Sequence, residues 1–308
     1  MVFKRTKSRR QERTKNFQLF SLALPAMAIL FVFNYIPMAG IFIAFKDVNF
    51  RDGIFGSPWN GFENFEFFFK SSDAFTYTRN TLLYNLAIIV FGTLVSLVVA
   101  MMLNEMRSRR AVRTYQTFLF FPYFFSWVIV GYMSFSMFSY GGVVTNFLGQ
   151  LGINITDFYT NTKYWPVFLV LTSIWKNTGY NSIIYYASIM GISSDYYEAA
   201  DIDGATRLQK NLYITLPLLA PTIILMTILA IGNIFRADFG LYYYVPRDVG
   251  QLYPVTQVID TAIYRMLKGG GDIGMTAAVG FFQSVVGFIM VFTTNLIVRK
   301  ISPENSLF

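Results

Sequence analysis

The 308-residue sequence contains no cysteine and no histidine. These absences exclude thiol chemistry, a disulfide framework, a Cys/His zinc site and a histidine-based triad, so we predict neither a metal site nor catalytic residues. Charged residues are scarce, at 14% of the chain, against about a quarter in average soluble domains. Hydrophobic residues make up 54% and aromatic residues 19%. The composition therefore indicates a membrane protein with several spans.

Six apolar stretches are long enough to cross a membrane as helices. A bilayer core of about 30 Å requires roughly 20 apolar residues in a helix, because unpaired backbone groups cannot face lipid. The stretches are residues 17–45, 80–103, 117–140, 165–190, 218–240 and 276–298. We therefore predict an all-α integral membrane protein with six transmembrane helices in one domain at residues 17–298.

The placement of basic residues predicts the orientation of these spans. Of the 25 Lys and Arg residues, 15 lie in the leader (1–16), the connections 104–116 and 191–217, and the tail (299–308). Only eight lie in the other three connections. Because short cytoplasmic segments carry the excess of Lys and Arg, both termini are predicted to be cytoplasmic. This distribution does not form a folded basic surface, so we predict no nucleic-acid partner.

The predicted cytoplasmic connection between the fourth and fifth spans carries the most specific pattern. Asp195 with Glu198 three residues later suits a capping box, and Ala199 and Ala200 favour a short helix. The dipeptide at 203–204, Asp-Gly, is a turn signal that should end this helix. A second short helix is predicted at 205–213. The result is a helix–turn–helix that exposes carboxylates and small side chains.

This loop resembles the EAA loop of ABC importer permeases. Glu198-Ala199-Ala200, Gly204, Ile214 and Leu216-Pro217 occur at that family's spacing, although Leu212-Tyr213 stands where many relatives carry Phe. The resemblance implies a coupling helix that inserts into a cleft of an ATP-hydrolysing subunit. It also implies roles for a set of residues in this coupling, with Glu198 contacting a basic residue, the small residues allowing close docking and Asp203 shaping the turn. The set is Glu198, Ala199, Ala200, Asp203, Gly204, Ala205 and Arg207.

The wider sequence is similar to the type I, maltose-permease-like branch of that family, and residues 235–242 and 253–260 resemble its polysaccharide and oligosaccharide permeases. The resemblance implies a fixed set of partners. They are a second, non-identical permease, two ABC ATPase subunits, an extracellular or periplasmic substrate-binding protein, an oligosaccharide and the lipid bilayer. The chain has no G-x-x-x-x-G-K-[ST] motif, so we predict no cofactor in this chain and place ATP and Mg²⁺ in the partner ATPase.

Polar residues inside the predicted spans are candidates for the substrate path. Amide, charged and aromatic side chains suit a sugar, which offers hydroxyl groups and an apolar ring face. The alternative is that they hydrogen-bond between helices, or that Lys176 and Arg236 extend towards the interface. The candidates are Lys176, Asn177, Tyr180, Asn181, Asn233, Arg236 and Gln283.

These observations favour the permease subunit of a binding-protein-dependent ABC importer in a bacterial cell membrane, carrying an oligosaccharide by alternating access. Two alternatives remain at this point. One is a secondary transporter or channel driven by an ion gradient, against which stands the lack of Asp and Glu at the span centres. The other is an ABC permease that carries peptides or amino acids.

Overall fold

The computed structural model describes residues 9–49, 51–153 and 158–306. Within these ranges the chain is helical, and the one β contact is an isolated bridge between Lys46 and Trp59. The α-helices are α1 Arg9–Leu30, α2 Gly53–Gly56, α3 Glu63–Lys70, α4 Ser72–Asn104, α5 Arg109–Phe120, α6 Trp127–Phe138, α7 Val143–Gln150, α8 Trp165–Ile189, α9 Ser194–Ile202, α10 Arg207–Lys210, α11 Leu216–Leu218, α12 Ala220–Gly232, α13 Phe239–Tyr244, α14 Tyr253–Thr256, α15 Ile259–Lys268 and α16 Ile273–Ile301. Short 3-10 or π segments lie at Phe31–Tyr35, Ile36–Phe45, Phe121–Phe124, Thr162–Tyr164, Asn211–Thr215, Gly250–Leu252 and Pro303–Asn305. The predicted all-α class is confirmed, and Lys4, Arg5 and Lys7 of the predicted leader lie outside the described residues.

Four stretches of the described chain are long and apolar enough to span a membrane: Asn16–Phe45, Asp73–Asn104, Trp127–Gln150 and Ile273–Ile301. A fifth results if Arg207–Leu218 and Ala220–Gly232, which are bent by 60°, form one span. The predicted fourth span corresponds to α8, whose 25 residues extend about 37 Å at 1.5 Å per residue. Its central Lys and Asn residues lower its hydropathy, so α8 is long enough but not apolar enough to be counted among these stretches. The count of six spans therefore stays a prediction that depends on α8.

The chain divides into two compact units, the first of which comprises residues 1–67 and 272–281. In its described part, the buried amino group of Lys46 donates to the carbonyl oxygens of Ile54 (3.2 Å) and Phe55 (2.7 Å). The Asn64 amide donates to the carbonyl oxygens of Ala44 (3.0 Å) and Lys46 (2.9 Å). A cluster of rings packs beside this network: Phe45, Phe62, Phe65 and Phe281. The hydrogen bonds fix the loop that follows the first predicted span.

The second unit comprises residues 68–271 and 282–308, and its centre is the pair α4 and α8. One buried cluster surrounds the start of α8 and another its end. The first contains Tyr84, Val130, Phe158, Tyr159, Trp165, Leu169, Leu241, Tyr242, Val245, Leu252 and Val258. The second contains Leu97, Ala100, Tyr185, Ile189 and Leu219. Outside these clusters most large apolar side chains are exposed, as expected for helices that meet lipid or other chains.

The prediction of one continuous helix at 117–140 is wrong. Helix α5 ends at Phe120, a 3-10 turn follows, and α6 begins only at Trp127. Pro122 lies in this turn, and the carbonyl oxygens of Pro122, Tyr123 and Phe125 accept hydrogen bonds from the amino group of Lys176 on α8. The break is therefore stabilised by a cation that satisfies its open carbonyl groups.

The prediction of a helix at 218–240 is also wrong at its end. Helix α12 stops at Gly232, and residues 233–238 are not helical. The Asn85 amide donates to the carbonyl oxygens of Ile234 (2.7 Å) and Arg236 (3.0 Å). The Gln283 amide donates to the carbonyl oxygen of Phe235 at 2.6 Å. Side chains from α4 and α16 thus replace the missing helical hydrogen bonds of this segment.

Candidate functional site

The loop between α8 and α12 forms the predicted helix–turn–helix. Helix α9 ends at Ile202, and Gly204 follows with a φ of +75°, a conformation that favours glycine. The predicted capping box at Asp195 and Glu198 is wrong, because Ser193 is the N-cap and its hydroxyl accepts from the Asp195 backbone N–H at 3.3 Å. The capping box belongs instead to α10, between Thr206 and Gln209. The predicted second helix is the short α10, continued by the π segment Asn211–Thr215.

Side-chain contacts hold the two arms of this loop together. Lys210 pairs with Asp201 at 2.6 Å, and the hydroxyl groups of Tyr197 and Thr215 lie 2.9 Å apart. The Ala205 backbone N–H donates to the carbonyl oxygen of Ala200 at 2.9 Å and closes the turn. The turn itself is thus closed by its own backbone, whereas the Asp201–Lys210 ion pair joins the two arms.

A second set of contacts ties the loop to the end of α4. Glu105, the C-cap of α4, lies 3.5 Å from the guanidinium of Arg207 and accepts from the Asn211 amide at 2.6 Å. Sequence reasoning assigned Arg207 to the coupling set but missed Glu105. The available signal was a lone carboxylate directly after a span, in a connection that is otherwise basic.

The surface of α9 and its turn is acidic and narrow. Asp195, Glu198 and Asp203 are exposed, and none of them pairs with a cation among the residues the structure describes. Ala199 and Gly204 are exposed between them, while Ala200 and Ala205 are half-buried. Ile202 is the most prominent side chain, with 87% of its surface exposed. The loop therefore exposes carboxylates, small residues and the large side chains of Tyr196 and Ile202.

Two of the predicted path residues lie together in the helix bundle. Asn177 and Asn181 line a pocket of about 160 Å³ between α4, α8 and α12. Thr93, Ser173 and Thr178 add further polar groups to its wall. Tyr180 is not part of this pocket; its ring stacks on that of Tyr123, with the centroids 4.8 Å apart.

The remaining candidates lie elsewhere. Asn233, Arg236 and Gln283 belong to the break after α12, where the Arg236 guanidinium donates to the Ser284 hydroxyl at 3.0 Å. Arg236 and Asp238 do not pair, since Asp238 accepts from the Trp127 indole at 2.7 Å. None of these three candidates lines the pocket of Asn177 and Asn181. The path candidates thus lie in three places: the pocket, the break after α12, and the break after α5, where Lys176 and Tyr180 both contact Tyr123.

The described residues contain no group of three or more acidic side chains placed to hold a metal ion. Of the three consecutive tyrosines at 242–244, Tyr242 is buried, and its ring packs 5.4 Å from that of Tyr84. The site thus consists of an exposed acidic loop and of polar groups between helices, several of which are long enough to span a membrane. These features together are typical of a translocation subunit of a membrane transporter.

Comparison with known proteins specifies the class. Residues 89–303 match the family model described as "binding-protein-dependent transport system inner membrane component". The chain belongs to this family. It is 35% identical to protein LplB of Bacillus subtilis (strain 168) over 93% of the chain and 90% of that protein. It is 32% identical to the polygalacturonan/rhamnogalacturonan transport system permease protein YteP of the same organism, over 99% of the chain and 95% of that protein.

A solved structure shows the same architecture. The chain matches a chain of a bacterial alginate ABC transporter in complex with an alginate pentasaccharide-bound periplasmic protein, with a TM-score of 0.85 and 30% identity. The match covers 96% of this chain and 99% of the other. The predicted importer-permease fold is confirmed, and the ion-gradient-driven alternative is excluded by the family. The chain is a multi-pass membrane permease subunit.

Proposed function

We propose that this chain, together with a second, non-identical permease of its family, forms the path by which an oligosaccharide enters a bacterial cell. A substrate-binding protein delivers the sugar outside, and two ABC ATPase subunits bind ATP and Mg²⁺ inside. The relatives named for polygalacturonan/rhamnogalacturonan and alginate transport support a saccharide over a peptide or amino acid. Both termini are cytoplasmic in this proposal.

The observation that carries the coupling role is the exposed surface of α9. Its turn is fixed by Gly204 and by the Ala205–Ala200 hydrogen bond, while Glu198 and Asp203 have no cation beside them among the described residues. An unpaired carboxylate on a narrow helix suits an arginine or lysine in a cleft. We infer that Glu198 makes this contact, and that Ala199 and Gly204 allow the backbones to approach.

Asn177 and Asn181 are the proposed sugar contacts in the bundle. Their pocket lies between three helices and combines amide and hydroxyl groups. Both kinds of group can donate hydrogen bonds to sugar hydroxyls and accept hydrogen bonds from them. Its volume of about 160 Å³ is below the roughly 300–1,000 Å³ of complete ligand sites. We therefore infer that a full site forms only with the second permease.

The coupling proposal is tested by reversing one charge. Glu198→Lys should reduce co-purification of the ATPase at least about tenfold and abolish sugar-dependent ATP hydrolysis, since like charges at a docking surface cost several kcal/mol. Glu304→Lys is the matched control, because it makes the same reversal on an exposed residue of the tail. Retention of both the complex and sugar uptake by Glu198→Lys would refute the coupling role.

A further inference from the structure

A second pocket lies between α6 on one side and α13 with the turn that follows it on the other. Its volume is about 230 Å³, and it opens beside three tyrosine rings and an arginine. Tyr132 has 62% of its surface exposed and Tyr244 38%. The lining residues are Val128, Gly131, Tyr132, Tyr243, Tyr244, Arg247 and Asp248.

Glycine in α6 sets the floor of this pocket. A Cβ atom at Gly131 would lie 2.3 Å from the carbonyl oxygen of Tyr244, closer than any real contact. Only glycine therefore lets the end of α13 reach the α6 backbone. This close approach places Tyr243 and Tyr244 beside Tyr132.

The turn after α13 carries backbone strain. Arg247 and Asp248 have φ values of 57° and 54°, and they are the only non-glycine residues with positive φ in the described chain. Such conformations are unfavourable for residues other than glycine and persist where the surroundings enforce them. Here the backbone N–H groups of Arg247 and Asp248 donate to the carbonyl oxygens of Tyr244 (3.2 Å) and Tyr243 (3.3 Å).

The carboxylate of Asp248 also lines the pocket, and one of its oxygens is held by Arg265 and Tyr253. Asp248 accepts from Arg265 at 2.6 Å and from the Tyr253 hydroxyl at 3.0 Å. The Tyr253 hydroxyl is protonated at neutral pH, as in any ordinary tyrosine, and burial raises its pKa further. Asp248 is thus neutralised by Arg265 and not by its neighbour Arg247.

Arg247 is left with open hydrogen-bond donors. Its guanidinium lies over the rings of Phe135 (4.2 Å) and Tyr132 (5.1 Å), and it pairs with no carboxylate among the residues described. A planar guanidinium binds a carboxylate through two parallel hydrogen bonds. Because an unpaired arginine in lipid is costly, this face of α6 is expected to meet water or a ligand.

We propose that Tyr132, Tyr243, Tyr244 and Arg247 form a subsite for one carboxylate-bearing sugar unit of an acidic oligosaccharide. The tyrosine rings take the apolar face of the sugar, and Arg247 binds its carboxylate. The pocket is smaller than complete ligand sites, so it holds one unit of a longer chain. It is separate from the pocket of Asn177 and Asn181, with which it shares no residue. This inference rests on the proposed function and names its substrate class.

The test uses the complete importer, with its binding protein and ATPases, in liposomes. Uptake is measured for tri- to pentasaccharides cut from polygalacturonan and from alginate, and for the same sugars with their carboxyl groups reduced. Arg247→Gln should lower uptake of the acidic sugars about tenfold or more, the value expected for a lost hydrogen bond to a charged group. The variant should still take up those reduced sugars that the wild type takes up. Its assembly into the complex and its basal ATP hydrolysis should also be unchanged. Arg51→Gln, an exposed arginine outside the pocket, is the matched control.

The other outcomes separate the explanations. If Arg247→Gln lowers the uptake of acidic and reduced sugars equally, the subsite is overturned and the arginine is assigned to protein docking. If the variant lowers the uptake of neither, the subsite is overturned and the arginine has no role in transport. An effect that disappears when anionic lipid is replaced by neutral lipid assigns it to a lipid headgroup and also overturns the subsite. Wild-type uptake of only reduced sugars overturns the acidic subsite but leaves the proposed function standing. Uptake of neither sugar type counts against both.

Discussion

Lys176 shows how a charge is accommodated among apolar helices. Its amino group donates to three backbone carbonyl groups where α5 ends, and it lies 5.3 Å from the ring of Trp127. The sequence identified the residue as unusual but left its role open between a substrate contact and a structural contact. The geometry favours a structural role, because all three donors of an ammonium group are occupied.

Replacing this charge tests the role. Lys176→Met should lower the free energy of unfolding by about 2 kcal/mol or more, since buried carbonyl groups lose charged hydrogen bonds. Thermal unfolding of the detergent-solubilised protein measures the change, with the exposed Lys163→Met as control. Loss of sugar uptake without a change in stability would instead make Lys176 a substrate contact.

Glu105 links the end of α4 to the loop after α9 through two contacts, one to Arg207 and one to Asn211. The ion pair is partly exposed and contributes little stability by itself. We expect Glu105→Ala to leave assembly intact but to lower the number of sugars carried per ATP hydrolysed, because movement of the loop reaches α4 less directly. Asp201→Ala, which removes the internal contact to Lys210, is the comparison. An unchanged ratio of uptake to hydrolysis would exclude this role.

At the scale of helices, α5 and α8 approach closely at one glycine. A Cβ atom at Gly179 would lie 2.0 Å from the carbonyl oxygen of Leu119, so the two helices must separate to admit it. Gly179→Ala should therefore cost about 1–3 kcal/mol of stability by overpacking. Gly149→Ala meets no atom within 4 Å and should be neutral, or stabilising by about 0.5–1 kcal/mol. Equal unfolding temperatures of the two variants would contradict the close packing.

Elements that are formed by interactions between neighbouring residues could be predicted from the sequence, and elements that depend on distant residues could not. The turn at Gly204 was predicted because a local dipeptide determines it. The breaks after Phe120 and Gly232 were missed because their open backbone groups are satisfied by Lys176, Asn85 and Gln283, which are distant in sequence. Apolar content alone therefore extended both helices too far. The pocket at Arg247 was missed for the same reason, since Gly131 and Tyr244 meet only in the folded chain.

At the scale of the whole molecule, the number of spans depends on whether α8 crosses the bilayer. The natural chain has no cysteine, so single-cysteine variants need no altered background. If α8 crosses, an impermeant thiol reagent added outside should label Thr162→Cys but neither Ser194→Cys nor Ser306→Cys. Both protected positions should react after the membrane is permeabilised. Labelling of positions 162 and 194 from the same side would exclude the six-span topology.

The polarity of α8 has a consequence for how the protein enters the membrane. A lysine near the centre of a single helix costs about 2.5–3.5 kcal/mol on insertion, and the three carbonyl groups that bind Lys176 belong to residues 122–125. That segment leaves the ribosome before α8 does, because synthesis proceeds from the N-terminus. We therefore expect α8 to insert poorly as an isolated segment and to enter the bilayer only alongside the helices already made.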